Sequence, residues 1–285
     1  MGRKRAQAVD TASSIIGNYE ISTGKAEVVA DEFRSDAYVL YVNGVPSSHV
    51  AIGRPRDLDF EYMRWIAAAV EHFVAAHLDP ARLRVTHLGG AACTMARYFA
   101  DVWPDSRHTV VELDDKLAAY VREWFDIPRA PTVKIRVGEA RRVTDSFKPA
   151  TRDVILRDVF AGQTTPEPLT TLEFFRSAHA SLAPGGLYVA NCGDRSDLRL
   201  AKAELAGMAQ VFEHVAVISD PAMLKGRRYG NIILLGSDAP LPAEGSAAAA
   251  ALAKPLLAGA VPAQYKDERW TREFFSGANA LVDED

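Results

Sequence analysis

An α/β fold, with a mostly parallel sheet preceded by a small antiparallel β unit, is predicted by three features of the 285-residue sequence. Apolar β-type runs alternate with helical patterns from Leu83 onward, which is typical of a parallel sheet covered by helices. The first of these runs ends in a small-residue turn at Gly89-Gly90, and the next ends in an acid, Glu112, about twenty residues later. An Asn43-Gly44 pair between two earlier β-type runs predicts a hairpin. The larger domain is therefore expected to be Rossmann-like.

Length and composition restrict the class of protein. The chain is long enough to bury a full core, and 48% hydrophobic and 25% charged residues are ordinary for a globular protein. The net charge is -4 and the sequence has no overall excess of basic residues, so no nucleic-acid partner is expected. Cys93 and Cys192 lie far apart and the seven histidines show no ligand spacing, which argues against a metal site and favours a reducing cytoplasm. The apolar segment 247–261 is interrupted and too short to span a bilayer, so no membrane partner is expected.

The front of the chain is expected to form a mobile lead followed by the β unit. Residues 1–17 lack apolar periodicity, as poorly ordered termini usually do. Residues 18–56 hold the antiparallel unit, and β-type runs alternate there with turn residues. The strands are expected over residues 26–30, 37–42 and 47–52.

The Rossmann-like domain is expected over residues 57–237. Asp57 or Asp59 is placed to cap a first helix, whose apolar residues recur at helical spacing from Phe60 to Val70. Strands are then expected over residues 84–88, 108–112, 132–137, 153–157, 185–190, 214–219 and 230–236. Helices are expected over residues 92–103, 114–125, 168–182 and 197–212.

Residues 238–285 are expected to form a linker and a C-terminal tail. The stretch before Ala247 is rich in Pro, Gly and Ser, and residues 247–253 are helix-prone. Aromatic residues from Tyr265 to Phe275 are suited to docking on the body of the protein or on a second subunit. The acidic end from Asp283 to Asp285 is expected to be solvated.

Small and acidic residues follow four consecutive predicted strands. Because the carboxyl ends of parallel strands meet at one edge of the sheet, we expect a ligand pocket there. Small residues let the backbone approach a ligand, and Glu112 is placed to accept hydrogen bonds from ribose hydroxyls. The pattern therefore predicts a site for a nucleotide-type ligand. Its residues are Gly89, Gly90, Ala91, Glu112, Leu113, Gly138, Glu139, Ala140 and Asp158.

Each polar candidate also has an ordinary structural interpretation. Glu112 could be a solvated charge or could cap the helix starting near Asp114. Glu139 could pair with one of the arginines that follow it, and Asp158 could pair with a neighbour or cap a turn. Cys93 lies near the start of a predicted helix, which could lower the pKa of its thiol, although a small buried residue is the simpler explanation.

Taken in order, these motifs resemble the spermidine synthase family, the aminopropyltransferases. The resemblance runs from the front hairpin to about residue 237, and several of the motifs also occur in S-adenosylmethionine methyltransferases. It therefore implies a methyltransferase-type fold. The segments that carry it are Val42–Val45, Asp59–Tyr62, Leu88–Gly90, Val111–Asp114, Val137–Glu139, Asp153–Asp158, Leu182–Leu187 and Tyr229–Leu235.

The resemblance implies roles for three acids. Glu112 matches the acid that holds the ribose, and Glu139 matches the acid beside the adenine amino group. Asp158 matches the acid that accepts a proton from the attacking amine. The co-substrate implied is decarboxylated S-adenosylmethionine or S-adenosylmethionine, with no prosthetic group, and the enzyme is implied to be a homodimer. In the family's reaction a primary amine attacks the carbon next to the sulfonium and releases methylthioadenosine.

The chain departs from the family's pattern where the amine binds. Ala92 stands where an acid grips the aminopropyl nitrogen, and Ala161 replaces a second acid that helps hold the diamine. Met63 stands where a His or Gln follows the helix tyrosine, and Ser47 replaces a hairpin glutamine. Aminopropyl transfer to an amine is the leading expectation. The alternatives are methyl transfer from S-adenosylmethionine and a non-catalytic nucleoside-binding or regulatory protein with the same fold.

Overall fold

The computed structural model describes residues 15–284 as two β-sheets, with helices packed against the larger one. Most of the predicted lead, residues 1–14, lies outside the described residues. The strands are β1 (Gly17–Ile21), β2 (Gly24–Ala30), β3 (Ala37–Val42), β4 (Val45–Ala51), β5 (Arg84–Leu88), β6 (Arg107–Glu112), β7 (Val133–Val137), β8 (Arg152–Arg157), β9 (Leu182–Asp194), β10 (His214–Ser219), β11 (Gly230–Ser237) and β12 (Gln264–Lys266). The helices are α1 (Glu61–His77), α2 (Thr94–Val102), α3 (Asp115–Trp124), α4 (Ala140–Asp145), α5 (Leu172–Ser181), α6 (Arg199–Met208), α7 (Pro221–Leu224), α8 (Ala247–Leu257) and α9 (Glu268–Phe274).

The front unit is a four-stranded antiparallel sheet in the order β1-β2-β3-β4. Asn43 and Gly44 both have positive φ angles, 51° and 78°, as the predicted two-residue hairpin turn requires. The unit is joined to the larger domain at α3, because the backbone N–H of Thr23 donates to the Asp114 carboxylate at 2.6 Å. Strand β1 is an addition to the predicted set of strands. The hairpins therefore stand next to the carboxyl edge of the main sheet.

The larger sheet has eight strands in the order β12-β10-β11-β9-β8-β5-β6-β7. Strands β9, β8, β5, β6 and β7 run parallel, which confirms the predicted mostly parallel α/β sheet. The chain first builds outward from β5 through β6 to β7 and then crosses to β8 and β9 on the other side of β5. Strand order therefore reverses at β5, which is where ligands bind in open sheets of this type.

Two hydrophobic clusters cover the two faces of this sheet. One contains the buried side of α1 with Trp65, Ile66 and Val70, which confirms the predicted apolar stripe. The other contains Phe174, Phe175 and further apolar residues of α5 and α6. The sheet is therefore buried on both sides, as parallel sheets are.

The start of α1 differs from the prediction. The N-cap is Phe60, and no side chain caps the helix, so neither Asp57 nor Asp59 has the expected role. The Asp57 carboxylate instead pairs with arginines of the front of the chain, and the Asp59 carbonyl accepts a hydrogen bond from Arg64. Aspartate is a common N-cap residue, which is why both were candidates. Phe60 instead has the extended backbone conformation of the N-cap position, with φ -66° and ψ 125°.

The tail folds against the main domain. Strand β12 pairs antiparallel with β10, and α9 packs on β10, so the aromatic segment docks on the body of the protein. The Asp283 carboxylate accepts hydrogen bonds from Arg141 at 2.6 and 2.9 Å and from Thr171 at 2.7 Å. Asp283 is therefore exposed, as expected for a solvated acidic end, and is also anchored to the main domain. These pairings join residues that are far apart in the sequence, so no periodic pattern predicts them. Helix α4 has only six residues, which is too short to give a helical pattern.

The turns that follow β5 and β8 cross in direct contact. Gly89 has a φ of +88°, and a Cβ atom there would lie 2.1 Å from the carbonyl oxygen of Asp158. The backbone N–H of Asp158 donates to the carbonyl of Leu88 at 2.8 Å. Only a glycine allows both the left-handed backbone and this close approach.

Gly89→Ala is expected to lower the free energy of unfolding by at least about 2 kcal/mol, because it adds a backbone clash to the cost of a left-handed L-residue. Gly245→Ala is the matched control, since Gly245 has a φ of +78° but no atom of residues 15–284 outside its immediate neighbours lies within 4 Å of the position that a Cβ atom would take. The control is expected to cost about 1 kcal/mol. Denaturant unfolding of both variants checks this, and equal losses would contradict the contact.

A buried chain of polar side chains joins β5 and β6. Nε2 of His87 lies 3.0 Å from Nδ1 of His108, and Nε2 of His108 lies 2.8 Å from Oγ of Ser106. Burial lowers the pKa of His87 well below its usual value and lowers the pKa of His108 to about 4. Both imidazoles are therefore neutral in the folded protein at pH 7.

The free energy of unfolding is expected to fall as the pH drops from about 6.5 toward 4. In this range the histidines of the unfolded chain bind protons, whereas the buried imidazoles of the folded protein stay neutral. The contribution of His108 to the free energy of unfolding is present in full above pH 6.5 and is on the order of 3 kcal/mol. Denaturant midpoints at pH 7.5 and 5 measure the effect. His108→Gln should weaken the pH dependence, whereas substitution of the exposed His77 by Gln should not; an equal dependence in all three proteins would contradict the account.

Candidate active site

A cleft of about 1010 Å³ lies at the carboxyl ends of the parallel strands, between the main sheet, α1 and the front unit. The glycine turn after β5, the ends of β6 and β7 and the residues after β8 all contribute to its wall. The structure therefore brings the residues selected from the sequence together in one place, and ligand binding by them stays a prediction. The residues that line the cleft include Gly89, Gly90, Ala91, Glu112, Leu113, Gly138, Glu139, Ala140 and Asp158.

Glu112 is fixed by the main chain of the glycine turn. Its Oε2 accepts hydrogen bonds from the N–H groups of Gly90 at 3.2 Å and Ala91 at 3.0 Å, and its Oε1 accepts from Asp114 at 3.0 Å. The cap of α3 is Asp114, whose carboxylate accepts from the Leu117 N–H at 2.8 Å. Both structural alternatives for Glu112, a solvated charge and a helix cap, are therefore wrong. A carboxylate offers about four acceptor positions, so one remains for a ligand hydroxyl.

Glu139 is the N-cap of α4. Its two carboxylate oxygens accept from the backbone N–H groups of Arg141 at 2.7 Å and Arg142 at 2.8 Å. The alternative of a surface ion pair with these arginines is therefore wrong, because the Arg141 guanidinium pairs with Asp145 and Asp283 instead. Each Glu139 oxygen keeps one free acceptor position toward the cleft.

Asp158 lies half-buried between α1 and β9. The hydroxyl of Tyr62 donates to its Oδ2 at 3.0 Å, and Nδ2 of Asn191 donates to its Oδ1 at 2.9 Å. Burial raises the pKa of Asp158 above its usual value, and these two hydrogen bonds offset part of that rise. The adjacent Arg157 is held by Glu204 at 2.7 Å, so Asp158 is not paired with its neighbour. Its alternative roles as a partner of that neighbour or a turn cap are wrong.

Sequence reasoning missed Tyr62 and Asn191 as site residues. Tyr62 lies in a segment that carried the family resemblance, and that motif was the signal available for it. Asn191 lies within β9, which extends four residues beyond the predicted strand end. A single amide in a buried apolar strand gives no pattern that points to a pocket.

The part of the cleft beyond Asp158 has few charged groups. Ala92 is 0% exposed, and its N–H donates to Oγ of Ser48 at 3.2 Å, so the front unit seals this position. Ala161 lies in an exposed loop that is closed by a β-bridge to Thr164. Aromatic, aliphatic and amide side chains also line the cleft. They include Met63, Ile66, Phe160, Tyr229 and Asn231.

Other chemistries find little support in the described part of the chain. Cys93 is buried, and burial raises the pKa of its thiol to about 12, so the alternative of an activated thiol is wrong. Within residues 15–284 no cluster of three or more His, Cys, Asp or Glu side chains could bind a metal ion. No helix in the same range is long and apolar enough to cross a bilayer.

Comparison with known sequences finds aminopropyltransferases. The polyamine aminopropyltransferase of Vibrio vulnificus is 30% identical over 121 residues, which is 42% of this chain and 40% of that relative's length. The match thus covers less than half of the relative. Comparison with protein-family models finds no match.

Comparison with solved structures extends the similarity to nearly the whole chain. The structure of human methyltransferase-like protein 13 in complex with SAH has a TM-score of 0.56 at 20% identity, covers 69% of this chain and 90% of that one, and shows a shared fold. The structure of a probable spermidine synthase from Corynebacterium glutamicum has a TM-score of 0.93 and 62% identity, and covers 95% of this chain and 97% of that one. On this similarity the chain belongs to the spermidine synthase family.

Proposed function

We propose that the protein is a transferase that binds an S-adenosylmethionine-type nucleoside in this cleft and moves an aminopropyl group from decarboxylated S-adenosylmethionine to an amine. The observation that carries the proposal is the common cleft formed by the glycine turn and the acids Glu112, Glu139 and Asp158. These groups come from four different strand ends, and their meeting supports a shared role. Membership of the spermidine synthase family supports the same chemistry.

The nucleoside half of the proposed site consists of groups held by the main chain. Glu112 accepts a hydrogen bond from a ribose hydroxyl, and Glu139 accepts a hydrogen bond from the adenine amino group at the oxygen positions that its capping role leaves free. The glycine turn allows the backbone to approach the nucleoside closely. Both carboxylates are already oriented before a ligand arrives, which reduces the entropy lost on binding.

The reaction needs orientation and one proton acceptor. The amine nitrogen forms a bond to the carbon next to the sulfonium, the carbon–sulfur bond breaks, and its electron pair leaves with methylthioadenosine. Because the sulfonium is already a good leaving group, the protein mainly aligns the two partners. Asp158 takes the proton from the attacking nitrogen, and its raised pKa suits a general base. Tyr62 and Asn191 hold its two oxygens in place.

Asp158→Asn is expected to reduce methylthioadenosine release at least about 100-fold, because general-base catalysis is lost. The assay combines decarboxylated S-adenosylmethionine with a panel of amines, and calorimetry with methylthioadenosine should show that binding is kept. Asp105→Asn, at an exposed position away from the cleft, is the control and should leave release unchanged. Absence of release by the unmodified protein with every amine would remove the aminopropyltransferase assignment.

Tyr62→Phe removes a hydrogen bond to the ionised Asp158 and is therefore expected to raise the pKa of that carboxyl further. Since the base must be deprotonated, the acid limb of the pH–rate profile should move to higher pH. The value of kcat/KM at pH 7 should fall about two- to tenfold, and the plateau at high pH should be kept. Tyr98→Phe is the control, because its hydroxyl donates to Glu71 outside the cleft. An unshifted profile in the Tyr62 variant would refute this role.

Methyl transfer from intact S-adenosylmethionine is the second candidate. The observation that favours it is the sealed, uncharged position of Ala92, which leaves no acid there to select an aminopropyl amine over an amino acid group. Calorimetry with the intact and the decarboxylated nucleoside separates the two reactions. A clear preference for the intact form supports methyl transfer, and a preference for the decarboxylated form supports aminopropyl transfer.

The proposal also covers the oligomeric state and the cellular location of the enzyme. The family resemblance supports a homodimer. Cys93 and Cys192 are free and buried, which supports a location in the reducing cytoplasm. Sedimentation analysis of the purified protein tests the first point. A monomer across the micromolar range would contradict it.

A further inference from the structure

Among residues 15–284, four carboxylates line the cleft, and they differ in how the protein holds them. Glu112 and Glu139 accept backbone hydrogen bonds, and Asp158 accepts from two side chains. The fourth, Glu61, is half-buried, and within residues 15–284 it has neither a hydrogen-bond nor an ion-pair partner. An unpaired acid in a cleft is available to a ligand.

Glu61 is the first residue of α1, next to the tyrosine that contacts Asp158. The neighbouring Tyr62, whose hydroxyl lies 3.0 Å from Oδ2 of Asp158, lines the same cleft as Glu61. The position of Glu61 therefore belongs to the amine half of the cleft rather than the nucleoside half.

The cation nearest to Glu61 along the helix does not neutralise it. Arg64 is three residues away, a spacing at which an acid and a base on a helix can pair. Its Nη1 instead donates to the carbonyls of Leu58 at 3.0 Å and Asp59 at 2.7 Å. Within residues 15–284, no basic side chain therefore forms an ion pair with the Glu61 carboxylate.

In the described part of the chain, the amine half is lined by no carboxylate other than Asp158 and Glu61. Ala92 offers no acid and is sealed by Ser48, and Ala161 presents only a methyl group. Beyond Asp158, a second cationic group on an acceptor would therefore find one anionic side chain among the residues that line the cleft. That side chain is Glu61.

We propose that Glu61 is a specificity-determining residue that binds the second cationic group of a diamine acceptor, while Asp158 receives the reacting amine. The proposal rests on the proposed aminopropyl transfer. In this proposal, the start of α1 supplies a negative charge for the acceptor. The turn after β5 and the loop after β8 supply none, because they carry Ala92 and Ala161. The acceptor class is a linear amine with a cationic group at each end.

The test compares linear diamines of three to six carbons with monoamines of the same lengths, in the methylthioadenosine assay with decarboxylated S-adenosylmethionine. Glu61→Gln is expected to raise KM for the preferred diamine at least about tenfold, because a charge-assisted hydrogen bond is lost. Its kcat, and its KM for the monoamine of equal length, should stay within about twofold of the unmodified protein. Glu61→Asp should keep part of the preference for diamines.

Two further variants separate specificity from helix stability. Asp59→Asn removes a charge near the same helix end but outside the cleft, and it should leave both KM values unchanged. Ala161→Asp, added to Glu61→Gln, places an acid in the exposed loop and should restore part of the preference for diamines.

Three outcomes would overturn the proposal. Equal changes of KM for monoamines and diamines in Glu61→Gln would assign Glu61 to the stability of the helix N-terminus. Unchanged KM for the diamine, with turnover kept, would remove Glu61 from recognition while the proposed transferase activity stands. Absence of methylthioadenosine with every amine in the unmodified protein would remove the proposed function and this inference with it.

Discussion

The contact between the turns after β5 and β8 is the constraint on which the cleft depends. The backbone N–H of Asp158 donates to the carbonyl of Leu88 at 2.8 Å, and the missing side chain of Gly89 lets the two turns meet. On its other side, β5 pairs with β6, so the same turn also reaches Glu112. One main-chain crossing therefore fixes the distance between the proposed base and the proposed ribose-binding acid.

The sequence predicts those parts of the fold that rest on local pattern. The bounds of β5 agree with the prediction because a short apolar run is followed directly by a small-residue turn. The meeting of the strand ends follows from parallel topology rather than from any single motif. By contrast, the contact between Tyr62 and Asp158 joins residues 96 positions apart, and the pairing of Arg141 with Asp283 joins residues 142 apart. Such contacts depend on tertiary packing and leave no periodic trace in the chain.

The two halves of the cleft are built in different ways. In the proposed nucleoside half, carboxylates are anchored by backbone N–H groups, so that their positions depend on the path of the main chain. In the proposed amine half, the wall comes from side chains of α1, β9 and an exposed loop, including Tyr62, Asn191 and Ala161. Replacement of an acid in this half changes the charge of the pocket without altering the main-chain hydrogen bonds of the turn. On the proposed function, this difference explains how the proposed nucleoside pocket is kept beside an altered acceptor pocket.

A crystal structure of the protein with methylthioadenosine tests the central claim most directly. The account predicts the nucleoside in the cleft, with a ribose hydroxyl about 2.6–3.2 Å from the Glu112 carboxylate and its adenine amino group at the same distance from Glu139. The thioether sulfur should face the side of the cleft that holds Asp158. A nucleoside bound elsewhere, or an empty cleft at saturating concentration, would contradict the claim that these strand ends form an adenosine site.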